Sequence, residues 1–274
     1  MKKSLNAWTL DNDLTFEEAF DAVKKAGFDG IELNLDNPAA SPHAFTMDTT
    51  AAELEEVRLL SEKYSLPVVS VSTSLSGQCG NPDAEEKMHA VLMKQIEIAK
   101  SLGASGVLHV PGGMNDSVSL LAARRNSIAF FKKYRDEIEA SGITVGLENV
   151  WNGFFLSPFD MSTMIDEIGS PAIGAYFDAG NMIAFSTSEY WVEVLGERIK
   201  YVHVKDYKRN GHINSGGSWV DITHGTADWK KIIPALRKAG FDGYLTGEVF
   251  NTIGIPMEEY YKKVSDEIGT IIGY

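Results

Sequence analysis

The chain has 274 residues, 44% of them hydrophobic, with 38 Asp and Glu against 25 Lys and Arg and a formal net charge of −13. That acidic balance argues against a nucleic-acid partner, since phosphate backbones are bound through clustered Lys and Arg, and no apolar run approaches the ~20 residues that span a bilayer. One cysteine, Cys79, excludes an intrachain disulfide and a cysteine-based zinc cluster and suits a reducing cytoplasm; Asn6, Asp11, Asn12 and Asp13 break the start of the chain before a secretory apolar segment could form.

In chain order, strands are expected near residues 5–9, 30–35, 67–72, 106–111, 144–149, 173–178, 199–206 and 243–249. Between them lie segments with helical spacing of apolar residues, such as MDTTAAELEEVRLLSEKY and DAEEKMHAVLMKQIEIAKSL, and PMEEYYKKVSDEIGTII closes the chain. The hexapeptide KAGFDG occurs at 25–30 and again at 238–243, each time after a helical pattern and before a strand. Gly27 and Gly240 fit the left-handed residue that ends a helix, with Phe28 and Phe241 folding back on its last turn. Looser versions at SLGASGVLHV and EASGITVGLE repeat the joint. No Pro-, Gly- or Ser-rich linker divides the chain. Eight strands alternating with helices predict an α/β fold, a single (β/α)8 TIM barrel over residues 1–274. The one long irregular piece, residues 207–226 with Gly211, Gly216 and Gly217, reads as a mobile lid.

Side chains alternate across a strand, so each strand sends one set into the barrel and the other against the helices. With Ile31, Leu33 and Leu35 outside, Glu32 and Asn34 point inward; with Val145 and Leu147 outside, Gly146 and Glu148 do. Asp178 shares the inner face with Tyr176, His203 with Tyr201 and Lys205, and Glu248 with Tyr244 and Thr246. His109 is expected inside, between outward Leu108 and Val110, and lines the mouth with Glu32, Asn34 and Asn6. The turn PGGMNDS after His109 offers backbone amides to a phosphate.

Glu148, Asp178, His203 and Glu248 fall at the C-terminal ends of strands five to eight, and adjacent strands lie ~4.8 Å apart, so their heads can converge. Three carboxylates this close raise one another's pKa unless something positive sits among them. A divalent ion answers this economically. The alternative is separate pairing, with Lys205, Arg209 or a helix N-terminus. Oxygen-rich ligation with one imidazole favours Mn²⁺, with Mg²⁺, Co²⁺ or Zn²⁺ as substitutes.

The ordered series GLENVWN, YFDAGN, VHVKDYKR, HGTADW and GYLTGEV, with NAWTL and GFDGIEL before it, resembles the xylose isomerase-like TIM barrels of the sugar isomerase and epimerase superfamily. It is most similar to ketose 3-epimerases and sugar-phosphate 3-epimerases. The resemblance implies that Glu148, Asp178, His203 and Glu248 hold the metal, that Glu148 and Glu248 exchange the substrate proton, and that Arg209 contacts a hydroxyl or phosphate. Two positions depart from the pattern. Asn181 stands where many relatives carry histidine, leaving a hydroxyl contact without titration, and Phe154 replaces a second substrate acid. Trp151, with Phe154 and Phe155, can close over the apolar face of a sugar.

The implied reaction is epimerisation of a free or phosphorylated ketose at C3 by two glutamates, through an enediolate whose charge the ion stabilises. Moving the proton between C1 and C2 instead gives aldose–ketose isomerisation, and abstraction beside a carbonyl is also the first step of a polyol or inosose dehydratase. An apurinic endonuclease fits less well, because six histidines and an acidic chain lack its zinc ligands and basic groove. A non-catalytic sugar-binding barrel is disfavoured by the acid pair. The expected partner is a small sugar, with no nucleic acid and no membrane, and homo-oligomer formation is left open.

Overall fold

The structure is a computed structural model that describes residues 1–78, 80–114 and 118–274. Cys79 and the 115–117 part of the expected phosphate turn lie outside the described residues. The strands are β1 (Lys2–Asn6), β2 (Gly30–Leu35), β3 (Ala44–Phe45), β4 (Val68–Thr73), β5 (Gly106–His109), β6 (Thr144–Glu148), β7 (Ile173–Asp178), β8 (Ile199–Val204), β9 (Asp206–Arg209), β10 (Gly217–Val220) and β11 (Tyr244–Gly247). Eight of them run parallel in the order β1-β11-β8-β7-β6-β5-β4-β2, and β1 also pairs β2, which closes the barrel. The helices are α1 (Phe16–Lys25), α2 (Ala51–Tyr64), α3 (Glu85–Leu102), α4 (Leu120–Lys133), α5 (Arg135–Ser141), α6 (Pro158–Ile168), α7 (Ser188–Leu195), α8 (Trp229–Lys238) and α9 (Met257–Ile272). Among the described residues no helix is long and apolar enough to cross a membrane.

Local chemistry sets these boundaries. Thr15 with Glu18, Thr50 with Glu53 and Ser157 with Asp160 form reciprocal capping boxes at the starts of α1, α2 and α6. The two hexapeptides end α1 and α8 alike: Gly27 and Gly240 take φ of +86° and +83°, and the Phe28 and Phe241 amides reach back to the carbonyls of Val23 and Leu236. Both phenyl rings are buried. The looser joints also place Gly103 and Gly142 in the left-handed region. β1 starts earlier than its sequence suggests and stops at Asn6, whose side chain accepts the Trp8 amide and turns residues 7–9 into a 3₁₀ helix.

Outward Ile31, Leu33, Leu35, Val145, Leu147, Val202 and Val204 join the helices in the apolar core. The interior is more polar, with Ser4 against Thr246 and Tyr176 stacked on Tyr201. One strand departs from the expected parity. In β5, Leu108 is level with inward Gly146 and His109 with outward Leu147, so His109 faces the helices.

The segment expected to be a lid is a hairpin. β9 pairs antiparallel with β10, placing Arg209 opposite Gly217 and Asp206 opposite Val220. Its base is pinned by the buried carboxylate of Asp206, which accepts the backbone amides of Tyr207, Gly225 and Ala227 and the indole N–H of Trp229.

Candidate active site

Glu148 and Asp178 are the last residues of β6 and β7, His203 is the penultimate residue of β8, and Glu248 follows β11 directly. All four therefore stand at the C-terminal face, where barrels of this kind carry their chemistry. In register, Asp178 lies level with His203, and His203 with Thr246. The Glu248 amide donates to the Val204 carbonyl at 3.2 Å, which fixes its carboxylate beside the end of β8. His203 Nδ1 lies 3.0 Å from Glu248 Oε2, 3.4 Å from Glu148 Oε1 and 4.0 Å from Asp178 Oδ2. One donor atom from each of the four lies within 4.8 Å of all the others.

Asp178 is held for this purpose. Its Oδ1 accepts the amides of Gly180 at 2.8 Å and Asn181 at 2.7 Å, which leaves the buried Oδ2 facing the cluster. The donor set is three carboxylate oxygens and one imidazole nitrogen. A divalent ion that prefers hard donors fits it.

Lys205 reaches part of the same space. Its ammonium is 2.9 Å from Asp178 Oδ2 and 2.8 Å from Glu248 Oε2, so the separate-pairing alternative holds for these two acids. Glu148 makes no such contact, and the two catalytic candidates end in unlike environments. Burial, reinforced by the charges of Glu248 and Asp178, pushes the Glu148 carboxyl up to about 7. For Glu248 burial acts in the same direction but is outweighed by Lys205 and His203, which hold it down at about 2. Burial likewise raises Asp178 despite Lys205. His203 rises well above the usual imidazole range because the surrounding glutamates outweigh its desolvation.

The other predicted residues are distributed as follows. Glu32 is inward but wholly buried beneath His203, not at the mouth; His203 Nε2 is 2.8 Å from its Oε1. Asn6 and Asn34 are buried and bonded to each other. His109 is not brought to the cluster: its Nδ1 pairs with Gln95 on α3 at 2.9 Å, its ring meets Phe131 on α4 edge-on, and burial lowers it to about 3. Asn181 turns its amide onto the Asn149 carbonyl at 2.8 Å. Phe154 and Phe155 meet at a tilt of 58° in the core, whereas Trp151 is half exposed and bonds the Asn181 carbonyl. Arg209 makes no ion pair among the described residues; it touches the Ser186 carbonyl at 3.4 Å, and its buried Nε has no partner.

Sequence reasoning missed Trp219. It comes from β10, packs on Trp151 and Tyr207 at 5.1 and 5.2 Å between ring centres, and its ring lies 5.5 Å from the Lys205 ammonium. Its signal was legible: the Asn-Ser-Gly-Gly run between short segments carrying Tyr207 and Trp219 marks a hairpin.

A parallel eight-stranded barrel with an acid-rich cluster of possible metal ligands on its C-terminal face defines a broad class of enzyme-like folds. Comparison with known families narrows it: the xylose isomerase-like TIM barrel pattern matches residues 20–268, and the chain belongs to that family. Fructoselysine 3-epimerase of Shigella flexneri is 20% identical over 249 residues, 86% of each chain. D-allulose 3-epimerase from Methylomonas sp., solved with D-allulose, superposes with a TM-score of 0.76 at 19% identity, covering 98% of this chain and 96% of the other. The IolI protein with a bound zinc atom superposes at 0.81 with 16% identity, over 100% and 98% of the two chains. At these identities the structural likeness establishes the fold.

Proposed function

We propose that the chain is a carbohydrate epimerase dependent on one divalent metal ion, Mn²⁺ by preference, which inverts C3 of a ketose or its phosphate. The observation that carries the reading is the convergence of Glu148 and Glu248, from strands on either side of Asp178 and His203, on one point. The named epimerase activities of its relatives support the same class. Glu148, Asp178, His203 and Glu248 would hold the ion. When bound, it supplies electrostatic stabilisation of the charge that develops when a proton leaves carbon beside a ketone.

The chain's own groups do the rest. Glu248, beside Lys205 and His203, is the base on one face of the sugar; Glu148 serves the other face, taking up a proton from a substrate hydroxyl or water before returning it to carbon. Lys205 donates to a substrate oxygen beside them, and Trp151 and Trp219 cover an apolar sugar face. Arg209, with its unpartnered Nε, contacts the distal end of the sugar.

The test is incubation of Mn²⁺-loaded protein with free and phosphorylated pentuloses and hexuloses in D₂O. Deuterium at C3 of an inverted product is expected, and a chelator should abolish it. Label at C1 or C2 of an aldose would make the enzyme an isomerase, loss of water a dehydratase. Absence of exchange with every sugar would refute the assignment.

A further inference from the structure

Glu32 is a carboxylate inside the barrel that the proposed chemistry does not use. It lies at zero exposure, where an ionised group is costly unless its lone pairs are filled. They are filled by five donors from four other strands. Oε1 accepts the Asn6 amide from β1, the Ser72 hydroxyl from β4 and His203 Nε2 from β8; Oε2 accepts the Ser70 hydroxyl from β4 and the Tyr176 hydroxyl from β7. The four donors other than His203 already hold both oxygens of the carboxylate.

The bond to His203 then carries information. A carboxylate can only accept, so the nitrogen facing it must carry the hydrogen. A neutral imidazole holding hydrogen on Nε2 presents a lone pair at Nδ1, the nitrogen that sits 3.0–4.0 Å from Glu248, Glu148 and Asp178. An acceptor behind a ligating histidine orients the ring and makes its other nitrogen a stronger donor.

We propose that Glu32 is a positioning residue, which holds His203 in the Nε2–H tautomer and thereby presents Nδ1 to the metal. The inference rests on the metal site proposed above, and the experiment separates the two. Mn²⁺ affinity is measured by calorimetry on the full-length protein as wild type, Glu32→Gln and Tyr176→Phe, with melting temperatures alongside. Gln keeps the size and an acceptor oxygen but loses the charge, so its Kd should weaken about 10–100-fold. Tyr176→Phe removes a donor to Glu32 that does not touch the His203 bond, so it should lower the melting temperature and leave Kd within about threefold.

In Zn²⁺-loaded wild type, ¹⁵N spectra of the histidine side chains should show His203 with hydrogen on Nε2. That measurement needs no variant and decides the matter even where Glu32→Gln does not fold. Hydrogen on Nδ1, or a Glu32→Gln variant of unchanged Kd but lowered melting temperature, would overturn the inference and leave a purely structural carboxylate. A wild type that binds neither ion would overturn the metal site itself.

Discussion

Replacing Glu148 by Gln should stabilise the metal-free protein at neutral pH while removing its activity. The Glu148 carboxyl rises from 4.5 to about 7 on folding, first through burial and then through Glu248 and Asp178. A carboxyl whose value is raised by folding keeps its proton in the native state after the unfolded chain has released it, so its stabilising effect is present at low pH and is lost as pH rises through this window. At 1.36 kcal/mol per unit, the shift costs the fold about 1 kcal/mol at pH 5 and about 3 kcal/mol at pH 7. Glu248 does not blur the comparison. Its value is held down to about 2, so the stability it adds is complete above 4.5 and is lost only as pH falls below that. Glutamine does not titrate and keeps an oxygen for His203. The stability of Glu148→Gln relative to wild type should therefore improve by about 2 kcal/mol between pH 5 and pH 7. Urea unfolding with a chelator present measures this, and adding Mn²⁺ should favour the wild type, whose ionised carboxylate is the better ligand. A difference that stays constant between the two pH values would refute the reasoning.

Glu248→Gln and Glu148→Gln should each lower turnover by about 10²–10⁴-fold while sugar binding persists, and one-sided exchange of the substrate proton can survive in a single variant; near-normal turnover in both would remove the two-base assignment. Arg209→Ala should chiefly raise KM, by about 2 kcal/mol for a phosphorylated sugar and less for a free one, and an unchanged KM for both would leave its unpartnered Nε without a ligand. Gly225→Ala puts a Cβ 2.0 Å from Asp206 Oδ1 and should cost about 1–3 kcal/mol of stability by prying open the hairpin base, read as a lower melting temperature.

Parity was legible in the sequence wherever a strand alternates polar with apolar residues, and this located all four members of the cluster. It failed in β5, because Val107, Leu108 and His109 are all buried and the strand faces core on both sides, leaving no alternation to read. Parity also gives a face without a height. Glu32 is inward as expected, but it is wholly buried, its oxygens taken by Asn6, Ser70, Ser72, Tyr176 and His203, and no alternation pattern encodes that enclosure. The turn of the β9–β10 hairpin was legible, but its anchoring was hidden, because Asp206 is a buried acid satisfied by backbone amides up to 21 residues away in sequence. No local pattern encodes such contacts.

Glu32 and Glu248 are anionic in the metal-free protein, His203 and Lys205 are cationic with Lys205 paired to Asp178, and Glu148 keeps a proton below its raised value of about 7. A divalent ion needs the Nδ1 lone pair of His203 and the ionised form of Glu148, and it brings two positive charges where those two protons stood. Binding is then close to an exchange of two protons for one ion, which leaves the buried charge unchanged and spares the interior an unpaired one. Titration calorimetry at pH 6 in buffers of differing ionisation enthalpy should count about two protons released per Mn²⁺ bound, falling toward one as pH rises past the Glu148 value. Release of no protons at pH 6 would mean that the ion enters without displacing the His203 and Glu148 protons, and that the cluster is not its ligand set.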